Sequence, residues 1–452
     1  MQSQNWVEKS IFYHIYPLGM LGAPSVNDFV KEPKPLLEDL LPWLNHIKEI
    51  GCNALYIGPL FESTSHGYDT VDYNEIDRRL GTNDTFKKLM RKAKELDIRV
   101  VLDGVFNHVG RDFFAFKDVQ LNGKKSDYIN WFSNLDFNRP SPLGDKFSYE
   151  GWNNHYNLVK LNLGCEEVKS YLFNAIQEWI LDFGIDGLRL DAADSIEFEF
   201  FKELKKFCMK LRPNFWLMGE VVHGDYSRWA NKLMLNSTTN YECYKGLYSS
   251  HNDLNYFEIA YSLNRQFGSE GIYKDLLLYN FVDNHDVDRV AIKLKKPEHL
   301  YPLYALLFTI PGIPSIYYGS EWGIEGKKRP HDDSPLRPHL TFQNLVSKVK
   351  HPELVKSIRR FAQIRKESQT LQNGDYKQLF IDHQQFAFSR SLGKETTIVL
   401  VNSSDEIATV QIPMPTKSDY IFKDLLDVEN SICLKDGILK VEIPSNWVRI
   451  LV

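Results

Sequence analysis

The run RVVLDGVFNH (Arg99–His108) starts apolar and turns polar at one end, where Asp103, Asn107 and His108 stand. It does not alternate apolar and polar residues. It therefore reads as a strand of a parallel sheet covered on both faces. The same composition recurs outward in both directions. IFYHIYPL (Ile11–Leu18) and ALYIGPL (Ala54–Leu60) precede it, and GLRLD, FWLMGE, LLLYNFVD and PSIYYG follow. The sixth strand is expected near Thr238–Tyr244. Helical periodicity separates the strands at Leu36–Ile50, Thr85–Leu96, 166–183, 197–211 and 350–366. Eight alternations of strand and helix predict a (β/α)8 barrel, an α/β fold built on residues 1–108 and 163–368. Residues 109–162 break the rhythm with Asn, Gly, Ser, Pro and rings, and read as a short domain inserted after strand three. Residues 369–452 carry only β-rich runs and turns, which predicts a C-terminal antiparallel β-sandwich.

Composition excludes several classes. The 452 residues carry a net charge of −5, which disfavours a nucleic-acid binder. The most apolar stretch, Tyr301–Tyr318, is interrupted by Pro302, Pro311 and Pro314, so no membrane helix is expected. The N-terminus has no basic segment followed by a long apolar one, so no secretory signal is read. Five cysteines without a CxxC pair argue against disulfides and a zinc cluster, and suit the reducing cytoplasm. Aromatic residues make up 13% of the chain, a hint of a ligand that stacks on rings, although large cores also use many rings.

Chemistry in a barrel collects at the C-terminal strand ends. Those ends hold Asp103, Asn107 and His108 on strand three, Arg189 and Asp191 on strand four, Glu220 on strand five, and Asp283, His285 and Asp286 on strand seven. One such carboxylate would be read as a cap for the following helix. Four charged ends around one mouth are read as a site. Asp191, Glu220 and Asp286 suit glycoside hydrolysis, in which a retaining enzyme needs an ionised nucleophile and a protonated acid about 5–5.5 Å apart. Arg189, two residues before Asp191, is expected to hold that carboxyl ionised. Glu220 follows FWLMG, and poorer solvation is expected to keep it protonated.

These motifs resemble the α-amylase superfamily, glycoside hydrolase family 13, over nearly the whole chain. DGVFNH (103–108), GLRLDAAD (187–194), GEVVH (219–223) and FVDNHD (281–286) are similar to its four conserved regions, in order. The resemblance implies Asp191 as nucleophile, Glu220 as acid/base and Asp286 as transition-state stabiliser. It places Arg189, His108 and His285 around the −1 sugar and makes Asp103 a structural carboxylate. HGYDTVDYNEID (66–77) resembles the segment after strand two, which implies that Tyr68 stacks under the sugar and Asp69 holds its hydroxyls. LVKLN (158–162), with Lys160, is similar to the MPKLN motif of neopullulanases and cyclomaltodextrinases, and His223 of GExxH suits the same branch. The arginine expected after strand eight is Arg337 of SPLRP. Two features depart from that branch: with the first barrel strand read near residue 10, its N-terminal β-domain is not expected here, and Asp194 ends the second region where the branch often has Asn. Lys160 also stands where calcium-binding amylases have an aspartate. Calcium wants several anionic oxygens. No metal or other cofactor is therefore expected, although Asn107 matches the calcium-binding Asn of secreted amylases. The implied partner is an oligosaccharide: short malto-oligosaccharides or cyclodextrins cut at α-1,4 links and, in some members, α-1,6 links.

Two other readings use the same residues. A 4-α-glucanotransferase would pass the same intermediate to a sugar acceptor. An inactive binding barrel would have lost one of the three carboxylates, and all three are present.

Overall fold

A computed structural model of the chain describes residues 6–345, 347–415, 419–427, 429 and 431–452. Eight parallel strands form one sheet: β1 (Phe12–Ile15), β2 (Ala54–Ile57), β3 (Arg99–Gly104), β4 (Gly187–Leu190), β5 (Trp216–Gly219), β6 (Ser237–Thr238), β7 (Tyr279–Asn280) and β8 (Ile313–Tyr317). Their order is β7-β8-β1-β2-β3-β4-β5-β6. A parallel bridge between Thr239 and Tyr279 joins the last strand to the first and closes the barrel. All but one of the strand residues are buried, which explains why the sequence runs are continuously apolar.

The β3–β4 register sets Asp103 directly beside Arg189, and the β4–β5 register sets Arg189 beside Met218, two residues before Glu220. Strand pairing alone thus gathers three charged ends at one mouth.

The elements differ from the sequence expectation in three places. The sixth strand is shorter than Thr238–Tyr244. Asn240 accepts a hydrogen bond from the Cys243 amide and starts a helix at Tyr241. The segment Leu36–Ile50 is a 3-10 turn (Leu36–Leu40) followed by an α-helix (Leu41–Glu49), because Pro42 is accepted only in the first turn of a helix. The helix beginning at Glu166 ends in a π-turn, Trp179–Phe183, closed by Gly184 at φ +75°.

After β3 the chain forms a small three-stranded sheet of His108–Gly110, Gly151–Trp152 and His155–Lys160, with a helix at Phe114–Asn122. Gly110 is required there. A Cβ would stand 2.5 Å from the Asp69 carbonyl oxygen, where the loop after β2 crosses. Phe113, Phe116 and Tyr149 are buried in this segment's core.

The C-terminal region holds two four-stranded antiparallel sheets. One is β9 (Asp375–Ile381), β10 (Gln385–Leu392), β11 (Glu395–Asn402) and β16 (Trp447–Leu451). The other is β12 (Ala408–Pro413), β13 (Tyr420–Lys423), β14 (Ser431–Lys435) and β15 (Ile438–Ile443). Ile398, Leu400, Val410, Ile412, Leu439 and Val441 fill the space between them. The five cysteines are free thiols. Among the described residues, no helix is long and apolar enough to cross a membrane.

Candidate active site at the barrel mouth

Arg189 is the centre of the cluster. Its side chain is 3% exposed, and its guanidinium lies 2.8 Å from Asp103, 2.9 Å from Asp191 and 2.8 Å from Glu220. Asp103 also accepts the hydroxyls of Tyr56 at 2.9 Å and Tyr68 at 3.1 Å, which anchors the cluster to β2 and the loop after it. The backbone turns sharply after Asp191. Ala192 takes the left-handed conformation at φ +46°, rare for a residue with a side chain. That turn aims the Ala192 amide at the Glu220 carboxylate, 3.2 Å away, and the Ala193 amide at the Glu220 carbonyl, 3.1 Å away.

Asp286 is held separately. Its carboxylate lies 2.9 Å from His285 Nε2 and 2.9 Å from the Arg337 guanidinium. Burial works to raise its pKa, but His285 and Arg337 outweigh that and hold the carboxyl well below the usual range. Arg337 also reaches the His285 carbonyl at 3.0 Å and lies over the Tyr16 ring at 4.4 Å. The SPLRP arginine therefore belongs to the mouth. Tyr68 stacks on His285, and their polar atoms, Oη and Nε2, are in contact.

Glu220 shifts in the direction expected from the sequence, whereas Asp191 does not. Arg189 does oppose the effect of burial on Asp191, but it serves Asp103 and Glu220 as well. Burial, with Glu220 and Asp103 alongside, raises the Asp191 pKa well above its ordinary value. Burial, opposed by Arg189 and reinforced by Asp286, raises Glu220 too. Each carboxyl is thus raised by burial, and Arg189 opposes that rise in both. His108 approaches Asp191 at 3.8 Å, and burial pushes its pKa down to about 3, so it faces the carboxylate as a neutral ring. Its Nε2 and the Asn107 Oδ1 are buried without partners, while Asn107 Nδ2 meets His108 Nδ1 at 3.1 Å.

The remaining expected residues lie outside this network. Asp69 is buried and accepts from the Ser65 amide and hydroxyl. Lys160 pairs with Glu150 at 2.9 Å in the inserted sheet, although its backbone is in register with His108. His223 is exposed on the loop after β5. Asp283 turns away to Ser320 and the Val290 amide. Of the inserted segment's rings, Phe113, Phe116 and Tyr149 are core residues and cannot serve as sugar platforms. Trp152 is half-buried and lies 5.5 Å from His108, and Phe114 is 42% exposed.

Sequence reasoning missed four contributors. His14 stacks on Tyr56 and meets His285 edge-on, with an unpartnered Nε2. Tyr16 stacks on His285 at 5.7 Å. The Tyr241 hydroxyl lies 3.4 Å from Glu220 and accepts from Asn284, whose carbonyl in turn caps the Asp286 amide. His14 and Tyr16 come from HIYP at the end of β1, the same strand-end signal read elsewhere. For Tyr241 no strand end pointed the way.

Asn107 is where the resemblance would place a calcium ligand. The unpartnered Oδ1 would serve as one oxygen ligand, but Lys160 brings a cation to the neighbouring strand. Among the described residues, no cluster of three His, Cys, Asp or Glu side chains could hold a metal.

Comparison with known proteins gives a consistent result. The family description "Alpha amylase, catalytic domain" matches residues 37–375. A cyclomaltodextrinase from a Bacillus species is 31% identical over 426 residues, 89% of this chain and 74% of that protein. Neopullulanase 2 of Thermoactinomyces vulgaris is 30% identical over 464 residues, 96% of this chain and 76% of the relative. Among solved structures, a cyclomaltodextrinase superposes with a TM-score of 0.86 at 26% identity, covering 100% of this chain and 79% of that one. A cyclic α-maltosyl-(1→6)-maltose hydrolase from Arthrobacter globiformis superposes with a TM-score of 0.82 at 27% identity, covering both chains fully.

Proposed function

The chain belongs to the α-amylase family of glycoside hydrolases, and from that premise we propose that it cleaves α-1,4 glucosidic bonds in short malto-oligosaccharides or cyclodextrins with retention of configuration. The observation that carries this reading is the Arg189 guanidinium bonded at once to Asp191 and Glu220, with Asp286 held ionised beside them. One cation cannot neutralise both carboxylates and Asp103 together. Burial raises the pKa of both Asp191 and Glu220, which favours a proton on the pair, and a retaining reaction needs such a proton on its acid.

In the first step Asp191 attacks the anomeric carbon and Glu220 gives its proton to the departing glycosidic oxygen. The bond to the leaving sugar breaks as the bond to Asp191 forms. Asp286 offsets the positive charge that develops on the ring, and Arg189 steadies Asp191 as its charge is consumed. In the second step Glu220 takes a proton from water, the hydroxide oxygen bonds to the same carbon, and Asp191 leaves as a carboxylate. Tyr68 supplies the face on which the ring sits, and His108 and His285 donate to its hydroxyls.

A second reading concerns linkage. Full-length superposition on a hydrolase named for a cyclic maltosyl-(1→6)-maltose favours tolerance of α-1,6 bonds in addition. A screen on maltotriose, a cyclodextrin and panose tests linkage. Products longer than the substrate would assign the chain to transfer instead of hydrolysis.

Asp191→Ala tests the assignment. It should lower turnover of maltotriose or a cyclodextrin by on the order of 10⁴-fold or more, the scale of losing a covalent nucleophile. Near-normal turnover would overturn it. The enzyme is further expected to work without a metal, as Lys160 beside the Asn107 position implies. Dialysis against a chelator should leave both rate and melting temperature unchanged. A loss restored by calcium would refute this. A reducing cytoplasm is the expected compartment, and a relative from Bacillus subtilis, 26% identical over 434 residues, carries the name intracellular maltogenic amylase.

A further inference from the structure

A depression of about 600 Å³ opens between helix Asn83–Glu95, the turn Leu181–Gly184 and Arg212. Arg99, which lines it, opens β3, and Asp186, which also lines it, immediately precedes β4. It therefore lies at the strand ends remote from Asp103 and Asp191, on the face opposite the mouth. The buried Met90, Ile98 and Phe183 supply its apolar lining.

The polar lining is unbalanced. Lys87, Arg91 and Lys94 stand at i, i+4 and i+7, on one face of the helix, where like charges repel and cost helix stability. They are not needed to cap the helix end. The carbonyls of Lys92, Ala93 and Lys94 already accept from the amides of Leu96, Ile98 and Asp97. Two other lysines of the same helix are paired, Lys88 with Glu38 at 3.0 Å and Lys92 with Glu95 at 3.1 Å. Lys87 has only Asp182, 3.7 Å away and 60% exposed. Among the described residues, the side chains of Arg91 and Lys94 have no hydrogen-bond or ion-pair partner.

The remaining cations are fixed in place. Arg99 and Arg212 meet the same oxygen of the buried Asp186, at 2.9 and 2.7 Å, and Arg212 also donates to the Gly184 and Ile185 carbonyls. One carboxylate thus holds two guanidiniums. Even with the exposed Asp97 counted, five cations face three carboxylates, on a chain whose net charge is −5.

The ligand that answers this lining is an anion with about two charges and several acceptor oxygens. A neutral sugar would leave the repulsion along the helix in place, and a single carboxylate would offset only part of it. A phosphate group carries nearly two negative charges at neutral pH and three terminal oxygens, and guanidinium binds it through paired hydrogen bonds. We propose that this depression is a binding site for a phosphate-bearing small molecule, with Arg91 and Lys94 as the residues that hold the phosphate. The site is separate from the catalytic mouth and does not depend on the hydrolase reading.

Calorimetric titration of the full chain tests this, with inorganic phosphate, glucose 6-phosphate and AMP as probes at one ionic strength set by chloride, because salt screens such contacts. Saturable binding is expected. Arg91→Gln with Lys94→Gln should weaken it by about 10-fold or more, the scale of losing a hydrogen bond to a charged group. Glutamine keeps the helix propensity of the residues it replaces, so this chain should fold, and without phosphate it should melt no lower than the parent. Arg91→Lys with Lys94→Arg keeps both charges and should recover most of the lost affinity. Tighter binding of glucose 6-phosphate would mark a sugar phosphate as the ligand, tighter binding of AMP a nucleotide, and equal binding of all three phosphate itself. Turnover of maltotriose should be the same in the parent and the glutamine variant. Absence of saturable binding by every probe would overturn the proposal, as would equal affinity in the parent and the glutamine variant.

Discussion

Arg189 faces three carboxylates with a single positive charge, and the consequence can be worked out at the level of one residue. Burial raises the pKa of Asp191 in the folded state above its value in the unfolded chain. A carboxyl with a raised folded pKa stabilises the fold only where it is protonated. That contribution is lost as pH rises from the unfolded pKa, about 3.9, towards the folded one. At neutral pH, above the unfolded pKa, Asp191 therefore costs stability. Asp191→Asn keeps the shape, removes the charge and leaves Arg189 paired with Asp103 and Glu220. Its melting temperature should rise by roughly 1–3 °C at pH 7, the shift that about 1 kcal/mol produces in a large domain, and the gain should shrink as pH falls. Differential scanning calorimetry across pH checks this, and an unchanged or lower value at pH 7 would refute it. Asp286 has the opposite sign. His285 and Arg337 depress its folded pKa, so its contribution is present at neutral pH and is lost as acid protonates it.

At the scale of elements, the site depends on how closely strand ends approach one another. Gly219 closes β5 one residue before Glu220. A Cβ there would stand 2.5 Å from Leu235 Cδ1 and 2.9 Å from Ala193 Cβ. Gly219→Ala must push β5 away from the turn after Asp191, which carries the amides that meet Glu220. Overpacking of this kind costs about 1–3 kcal/mol. The variant should melt several degrees lower and lose at least about tenfold in kcat, because the acid moves relative to the nucleophile. Steady-state kinetics together with a melting curve tests both effects, and an unaltered kcat would show that the strand end has slack. Most elements were legible because parallel strands are continuously apolar and their helices amphipathic. β6 was not: it contributes only Ser237 and Thr238, too short a run to carry a pattern, and Asn240 caps the next helix immediately. The role of Tyr241 was hidden for the same reason, since a helix N-terminus brought it to Glu220.

At the scale of the whole molecule, the buried Arg390 joins the C-terminal sheets to the barrel, and Arg365 beside it ties two segments of the barrel together. Arg365 donates to the carbonyls of Phe308 and Gly312, and Arg390 of β10 donates to those of Thr309 and Gly374. Both side chains are buried, and burial lowers the pKa of each, to about 9 for Arg365. They gather the carbonyls at the C-terminal end of helix Leu300–Thr309, where the helix dipole favours cations. Arg390→Ala would leave two carbonyls unpaired and a cavity at the junction, each costing about 1–3 kcal/mol. The melting temperature should fall by several degrees in a single transition, read by calorimetry. A separate early transition would instead show that the C-terminal sheets unfold on their own. By itself the sequence determined the barrel, the place of the inserted segment, the C-terminal sheets, and the strand ends that carry Asp191, Glu220 and Asp286, because hydrophobic continuity and strand-end polarity are local properties. Only the tertiary structure decided that Arg189 is shared among three carboxylates, that Arg337 and Tyr241 join the mouth, and that Phe113, Phe116 and Tyr149 are core rather than platform. Each of those depends on which distant residues share one buried volume, and that is set by packing and not by spacing along the chain.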